Sequence, residues 1–380
     1  MTRVAMEHDA INLAQGFPDF PAPQVLKDAA ADAVARDVNQ YAVTWGAPRL
    51  RAALVAKYER FYGMAVDGDR EITVTCGATE AMASALLAVV DPGDEVVVLE
   101  PFYENYGPDA ILCGAKPVWV PMERVTEGRS LRFELDLDRL AAAFSERTRA
   151  IVVNTPNNPT GHVFTRRELE AIAELCIHHD AIAFTDEIYE HILYEGQHIP
   201  LASLDGMRER TVTVSGASKT FSVTGWRVGT ILAPADLTAA IRKVHDFLTV
   251  GAPAPLQDAV ADGLETLDDD YYADLAAGYR ERRDVLVSAL IEAGFRCAPP
   301  EGAYYVLADF SNLSDEDDDH FARRLAADVG VAPVPGSSFF HHAEDGCDLV
   351  RFAFCKRKET LEEAGRRLRS AGSTGRQSPH

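Results

Sequence analysis

The chain alternates between short, continuously apolar runs and longer segments with helical periodicity. Helical patterns cover residues 79–90 and 166–179, and six apolar, β-branched runs predict buried strands at residues 71–75, 95–99, 150–154, 181–185, 211–215 and 228–232. Strands that are apolar on both faces and separated by helices are typical of a mostly parallel sheet covered by helices on both sides. The pattern therefore predicts a three-layer α/β/α fold of the α/β class, with a mostly parallel sheet between two layers of helices.

The same pattern divides the chain into two predicted domains. Residues 41–269 form the large α/β domain. Residues 1–40 and 270–380 carry a helical pattern over 274–293 and short strands near Tyr304 and Val350, which predicts a smaller α+β domain built from both chain ends. We expect such a domain to move against the larger one.

Composition excludes several classes of function. The 380 residues carry 37 Lys and Arg against 59 Asp and Glu, a net charge of −22. Nucleic acids and membranes attract basic surfaces, so neither is expected as the main partner. With 47% hydrophobic residues, the chain can bury a large core and is not disordered. No stretch is long and apolar enough to span a bilayer.

The cysteines indicate the compartment. All six are scattered, and none forms a Cys-x-x-Cys pair, which favours free thiols in a reducing compartment over disulfides or zinc. The N-terminus lacks the basic start and apolar run of a signal peptide. We therefore expect a cytoplasmic protein without a metal centre.

Ligands of open α/β sheets bind beyond the carboxyl ends of the strands, and three strands end in unusual residues. Gly77, Ala78 and Thr79 lead into a helix whose free N–H groups attract anions. Tyr103 follows the second strand and can stack on a planar ring. Residues 154–161 combine three asparagines with two prolines, which directs several amides to one place. Taken alone, the first feature favours a capped helix and the second favours core packing.

Two further strand ends carry charged residues. Asp186 follows an apolar run, so its carboxylate needs a partner, and Tyr189 can direct a hydroxyl to the same site. A structural ion pair is the alternative there. Lys219 follows Ser218 in a segment of small and hydroxylated residues, and Arg227 precedes the next strand. A partly desolvated lysine near another cation is a good former of Schiff bases.

These groups point to one ligand. The lysine needs a carbonyl group, the arginine a phosphate, the aspartate a ring nitrogen and the tyrosine a flat face. Pyridoxal 5'-phosphate has all four features, and we expect it as the cofactor.

Together the motifs resemble the class I, fold-type I aminotransferases that use pyridoxal 5'-phosphate. The resemblance extends from Asn12 to about Leu368. It rests on the segment 218–229, on residues 157–161 and on residues 186–189, which occur in the family's order and spacing. Residues 15–21 and 39–41 are most similar to the branch that contains kynurenine, glutamine and methionine aminotransferases and cysteine-conjugate β-lyases.

The resemblance implies roles around the cofactor. Lys219 would hold it as an internal aldimine and then move the proton between the substrate Cα and the cofactor. Asp186 would keep the pyridine nitrogen protonated, and Tyr103 would stack on the ring. Asn158 and Tyr189 would hydrogen-bond its phenolic oxygen. The phosphate would be bound by Gly77, Ala78, Thr79, Ser218 and Arg227.

The resemblance also implies substrate contacts and a partner. Arg351 would bind the substrate α-carboxylate as a bidentate pair, with Asn158 beside it. Gly16 would add a backbone contact as the smaller domain closes. Tyr41 would reach the phosphate of the neighbouring subunit, which implies a homodimer with sites at the interface.

Some positions depart from the family's pattern. Gly216 stands where many relatives have a phosphate-binding serine, so Ser215 or the backbone would replace that contact. Val250 and Gly251 replace aromatic and histidine residues that line the pocket in some kynurenine-active relatives, which predicts a roomier pocket. No second arginine motif serves a dicarboxylate side chain, so a neutral, aromatic or sulfur-containing donor is favoured over aspartate.

The implied activity is transfer of the amino group of an L-amino acid to a 2-oxo acid, in amino acid metabolism and as part of a biosynthetic process. A β-lyase, or another elimination, decarboxylation or oxidation on the same fold, is the alternative, because pocket geometry decides which bond breaks. A non-enzymatic sensor that binds pyridoxal phosphate is a remote alternative. It would need a DNA-binding domain, which we do not expect before Gln15.

Overall fold

A computed structural model describes residues 1–374 of the chain. The strands are β1 (Ile11–Asn12), β2 (Ile72–Thr75), β3 (Glu95–Glu100), β4 (Lys116–Pro121), β5 (Glu123–Glu127), β6 (Ser130–Glu134), β7 (Thr148–Asn154), β8 (Ile182–Asp186), β9 (Thr211–Gly216), β10 (Gly229–Leu232), β11 (Tyr305–Asp309), β12 (Val331–Ala332), β13 (Val334–Pro335) and β14 (Leu349–Ala353). The α-helices are α1 (Thr2–Glu7), α2 (Gln24–Ala35), α3 (Pro48–Tyr62), α4 (Ala78–Val89), α5 (Tyr106–Leu112), α6 (Leu137–Ala142), α7 (Arg166–His178), α8 (Ala217–Thr220), α9 (Ala235–Leu248), α10 (Ala254–Thr266), α11 (Asp269–Ala293), α12 (Asp318–Arg324) and α13 (Lys358–Thr374).

Seven strands form the central sheet in the order β2–β10–β9–β8–β7–β3–β4. Neighbours from β9 to β4 run parallel, whereas β10 is antiparallel to both β2 and β9. Alternate residues of β3 face opposite sides of the sheet. Val96 and Val98 pack with α4 and α5, and Val97 and Leu99 pack with α6 and α7. The predicted three-layer α/β fold is therefore confirmed.

Five strands of the structure, at residues 116–134 and 331–335, were not predicted from the sequence pattern. Of these, β4 is the edge strand of the central sheet, and its lysine and two prolines interrupt the apolar pattern. Proline is tolerated at a sheet edge because no neighbouring strand needs its missing N–H. β5 and β6 form a separate two-stranded hairpin whose residues are largely polar. These strands therefore lack the continuous apolar run that marked the buried ones.

The two ends of the chain meet in smaller sheets. β1 pairs in parallel with β12, where Ile11 lies opposite Val331, and β11, β14 and β13 form an antiparallel sheet. α11 and α13 pack on this part through Leu286, Leu290 and Leu361, whereas α2 packs on the core that contains α10. The domain boundaries at 41 and 269 stay a prediction, and residues 375–380 of the predicted smaller domain lie outside the described residues.

The fold brings two sets of residues to one edge of the central sheet. The carboxyl ends of β7, β8 and β9 point the same way because these strands are parallel. β14 comes from the smaller sheet, where Arg351 lies opposite Leu307 of β11 and Val334 of β13.

Within residues 1–374, no helix combines the length and apolar character needed to cross a bilayer.

Candidate active site

A cavity of about 720 Å³ lies at the carboxyl ends of the parallel strands. Its wall contains most of the predicted site residues, namely Gly16, Ala78, Thr79, Tyr103, Asn158, Asp186, Tyr189, Ser218, Lys219, Arg227 and Arg351. Gly77 is buried next to Ala78 in the chain, and Tyr41, which is 89% exposed, does not line the cavity. Residues that are distant in sequence thus meet in one concave site, as expected for a small-molecule pocket.

Lys219 lies on α8, which begins where β9 ends. Its Nζ donates to the carbonyl oxygen of Gly16 at 3.4 Å. The pKa of Lys219 is lowered to about 8, mainly by burial; the positive charge of Arg227 contributes to this shift, and Asp186 opposes it. A lysine with such a pKa is partly neutral near physiological pH, and only the neutral amine attacks a carbonyl group.

Asp186 ends β8 with its side chain directed at the cavity and only 8% of the residue exposed. Its Oδ2 accepts from the Tyr106 hydroxyl at 2.8 Å, and its Oδ1 accepts from the Ile188 N–H at 3.2 Å. Burial raises the pKa of Asp186, and these two hydrogen bonds oppose the shift. No Lys, Arg or His of residues 1–370 forms a salt bridge with Asp186, so the structural ion pair considered above is absent there. The carboxylate can therefore accept from a protonated ring nitrogen.

Arg351 is 6% exposed, and its contacts are with uncharged groups. Nη1 donates to Asn158 Oδ1 at 2.9 Å, Nη2 donates to the Ala14 carbonyl at 2.9 Å, and the buried Nε has no protein partner. The guanidinium lies 4.3 Å from the centroid of the Tyr305 ring. A buried cation without an anion is costly, so this site favours binding of a carboxylate.

The Asn-rich segment is held by its own side chains. Asn154, the last residue of β7, donates from its amide to the Asp186 carbonyl at 2.9 Å and accepts from the Asn158 N–H at 2.7 Å. These bonds fix Asn158 between Asp186 and Arg351. The Tyr189 hydroxyl lies nearby and donates to the Tyr305 hydroxyl at 3.3 Å.

The proposed phosphate cradle is assembled from a helix start and a cation. α4 begins at Ala78, which leaves the first N–H groups of the helix free for an anion. Gly77 has a φ of 84°, and a Cβ there would overlap the Arg227 guanidinium. Arg227 donates to the Thr224 carbonyl at 3.0 Å. Together with Lys219, Asp186 and the Tyr103 ring, this donor set fits pyridoxal 5'-phosphate.

Of the two replacements expected for the missing serine at Gly216, one is wrong. The Ser215 hydroxyl donates to Glu190, which also binds the buried Lys57, so Ser215 does not line the cavity. Gly216 itself leaves no room for a side chain, because a Cβ there would lie 2.8 Å from the Val228 carbonyl. A backbone contact in its place stays a prediction.

Sequence reasoning missed Tyr106 and Tyr305. Tyr106 lies three positions after Tyr103, and its ring meets the Tyr103 ring edge-on at 5.7 Å, so the spacing was an available signal. Tyr305 lies in an apolar run on β11 and carries no signal of its own. It reaches the cavity only because β11 pairs with β14.

Comparison with known proteins gives a consistent result. A family model described as aminotransferase class I and II matches residues 8–368. The probable N-succinyldiaminopimelate aminotransferase DapC of Mycobacterium tuberculosis is 43% identical over 97% of this chain and 94% of its own length. The methionine aminotransferase of Escherichia coli is 40% identical, with 97% and 94% covered, and human kynurenine–oxoglutarate transaminase 1 is 37% identical, with 97% and 93% covered. The solved structure of the Mycobacterium tuberculosis enzyme superposes with a TM-score of 0.93 at 44% identity, over 98% of this chain and 96% of that chain.

Proposed function

We propose a donor class for this chain, which belongs to the class I and II aminotransferase family. Its amino donor is a neutral L-amino acid with a large aromatic or sulfur-containing side chain, and a 2-oxo acid is the acceptor. The chain is an aminotransferase, and it uses pyridoxal 5'-phosphate. What we add is the donor class and the role of each site residue.

The observation that carries the proposal is the environment of Arg351. Its buried guanidinium, with no carboxylate partner, suits the α-carboxylate of an amino acid. Apart from Lys219, Arg227 and Arg351, the described cavity wall contains one further Lys or Arg side chain, Arg323. It is already paired with Asp319 at 2.7 Å. A donor side chain therefore meets mainly uncharged groups, among them the Phe17 and Tyr305 rings.

A second donor class is favoured by Arg323 itself. This residue lies on α12 at the wall of the same cavity, and its side chain is half exposed. A donor with a long side chain that ends in a carboxylate could replace Asp319 as the ion-pair partner of Arg323. DapC, named for N-succinyldiaminopimelate, is among the relatives, so we keep long acidic donors as the second candidate.

The bound cofactor supplies an electron sink that makes the substrate Cα–H acidic. Lys219 would hold the cofactor and, once released by the substrate, its neutral amine would take the proton from Cα and return it to the cofactor side. Asp186 would keep the ring nitrogen protonated, and Asn158 with Tyr189 would donate to or accept from the ring oxygen. Arg351 would orient the substrate so that its Cα–H faces Lys219.

We propose that the protein works as a homodimer. Tyr41 is 89% and Phe247 94% exposed, and Val43 and Val250 are also exposed. The two segments that carry these residues are joined where His245 Nε2 lies 2.9 Å from the Thr44 carbonyl. Such an apolar patch on a monomer is typical of an interface. Tyr41 would then reach the partner's cofactor phosphate.

Hybrid dimers test the shared site. Tyr41→Ala should weaken cofactor binding, and Lys219→Ala should abolish turnover. Mixed and reassembled, the two variants should regain activity, because one site per hybrid then contains both native residues. Activity that stays at the level of Tyr41→Ala alone would contradict the shared site.

We also propose that the enzyme acts in the cytoplasm, in the biosynthesis of amino acids. The six cysteines are free, which supports a reducing compartment.

The donor class is tested by measuring kcat/KM of the holoenzyme for methionine, phenylalanine, kynurenine, glutamine, aspartate and N-succinyldiaminopimelate, with 2-oxoglutarate as acceptor. The proposal predicts that the neutral donors exceed aspartate by at least about a hundredfold. A preference for aspartate would contradict it, and a preference for N-succinyldiaminopimelate would select the second candidate. Release of ammonia and a 2-oxo acid from a donor without any acceptor would indicate the lyase alternative.

A further inference from the structure

One wall of the active-site cavity is a short segment without regular secondary structure, residues 14–17, which we call the strap. Each of its carbonyl oxygens accepts from a side chain of another part of the chain. Arg351 donates to Ala14, while Tyr304 donates to Gly16 at 2.7 Å. Lys219 also donates to Gly16, at 3.4 Å. The remaining two carbonyls, of Gln15 and Phe17, accept from Lys356 Nζ at 3.3 and 2.8 Å.

Lys356 is an unusual lysine. It is 4% exposed and forms no salt bridge among the described residues, since its hydrogen-bond acceptors there are the two strap carbonyls. Its ammonium also lies 4.3 Å from the centroid of the Phe17 ring. Removing an ammonium from water is costly unless each donor is used, so the ammonium and the strap depend on each other for their positions.

Lys356 binds the strap on both sides of Gly16. Its two acceptors flank Gly16, where a Cβ would overlap the Tyr305 hydroxyl. In the part of the chain that the structure describes, no protein group accepts from the Gly16 N–H. This N–H is therefore a free donor in the strap that Arg351 also binds, through the Ala14 carbonyl, and a shift of the strap would move it.

We propose that Lys356 is a positioning residue for substrate binding, because it fixes the strap so that the Gly16 N–H and Arg351 face the same substrate carboxylate. Lys356 does not line the cavity, so it acts through the strap and not on the reacting atoms. The inference rests on the proposed function only in taking an α-carboxylate as the group that is bound.

The test compares Lys356→Met with Lys358→Met, a change of the same kind at an exposed lysine two positions away. Hydrogen–deuterium exchange of the cofactor-free protein reports on the strap without any turnover. In Lys356→Met, exchange of residues 13–17 should rise about tenfold, the size expected for loss of hydrogen bonds from a charged group. The unfolding temperature and exchange elsewhere should stay near those of the wild type.

Kinetics of the holoenzyme supply the second readout. Lys356→Met should raise KM for the donor about tenfold and leave kcat within about twofold. Lys356→Arg keeps a cation that can reach both carbonyls, so its KM for the donor should lie close to that of the wild type. Lys358→Met should behave like the wild type.

Three results would overturn the proposal: unchanged exchange of the strap in Lys356→Met, increased exchange throughout the protein with a lowered unfolding temperature, or increased strap exchange with an unchanged KM. If no donor of the panel is turned over, the proposed function fails separately, and exchange of the cofactor-free strap still decides whether Lys356 holds Gly16.

Discussion

The Tyr106 hydroxyl donates to Oδ2 of Asp186 at 2.8 Å, in a part of the cavity where both side chains are buried. Tyr106 opens α5, directly after the segment that carries Tyr103, and Asp186 ends β8. The bond therefore links Asp186, proposed to bind the ring nitrogen, to the segment that carries Tyr103, the residue proposed to stack on the cofactor ring. Tyr106 binds Oδ2 and the Ile188 N–H binds Oδ1, so each oxygen of Asp186 accepts one hydrogen bond and keeps a lone pair for the ligand.

Tyr106→Phe should reduce kcat about tenfold, because one hydrogen bond to a buried charged group contributes about 1.5–3 kcal/mol. The Tyr106 hydrogen bond lowers the pKa of Asp186, so its loss raises that pKa and weakens the carboxylate as a partner for a protonated nitrogen. Steady-state kinetics should show this loss with little change in KM. Tyr103→Phe, which retains the stacking ring, serves as the control, and equal effects of the two variants would contradict the role of Tyr106.

The pKa of Lys219 predicts a pH profile for the cofactor-free protein. Schiff-base formation with pyridoxal requires the neutral amine, and burial lowers the pKa of Lys219 to about 8, against about 10.4 for a free lysine. The rate should therefore rise through a midpoint near pH 8 and level off above it. Because Asp186 raises this pKa and Arg227 lowers it, Asp186→Asn should move the midpoint down and Arg227→Gln should move it up. Shifts in the opposite directions would refute this account of Lys219.

Gly77→Ala should weaken binding of pyridoxal 5'-phosphate at least about tenfold. The added Cβ overlaps the Arg227 guanidinium, and a φ of 84° is unfavourable for alanine. Gly93→Ala is a matched control, since Gly93 has a φ of 96° but open space where a Cβ would lie. Fluorescence titration of the cofactor-free proteins measures both, and an equal loss of affinity in the two variants would mean that backbone strain, and not the phosphate cradle, is responsible.

Arg351→Lys should raise KM for amino acid donors by about 10- to 100-fold, because an ammonium cannot form the bidentate pair with a carboxylate. The loss should be confined to substrates that carry the carboxylate. An amine donor without an α-carboxylate, although poor, should react equally well with the variant and the wild type. A similar loss for both donors would show that the substitution acts through the fold instead.

Much of the site was predictable because its residues stand at the ends of apolar strands. Asp186, Lys219 and Asn158 each follow a run whose buried character is clear from the sequence, and parallel strands bring such ends together. The hydroxyl of Ser215 was not predictable in the same way. Its position next to the lysine segment suggested a phosphate contact, but it points to Glu190, and which face of a strand end a residue occupies depends on packing.

The strap illustrates a second limit. Gly16 and Arg351 were expected to act together, but the sequence gives no indication that Lys356 holds Gln15 and Phe17. That contact joins residues from opposite ends of the chain and uses backbone carbonyls, which every residue carries. The edge strand β4 was not predicted because its lysine and two prolines interrupt the apolar pattern that marks a strand.

The most direct test of the account is a visible spectrum of the holoenzyme and of its Lys219→Ala variant during a single turnover with a neutral amino acid. For the wild type, we expect the band of the lysine-bound cofactor to disappear when the donor is added and to return when a 2-oxo acid follows. In Lys219→Ala, loaded with cofactor and folded as judged by circular dichroism, this interconversion should be slower by at least about a thousandfold. Interconversion by the variant at a rate close to that of the wild type would contradict the assignment of Lys219, on which the proposed mechanism rests.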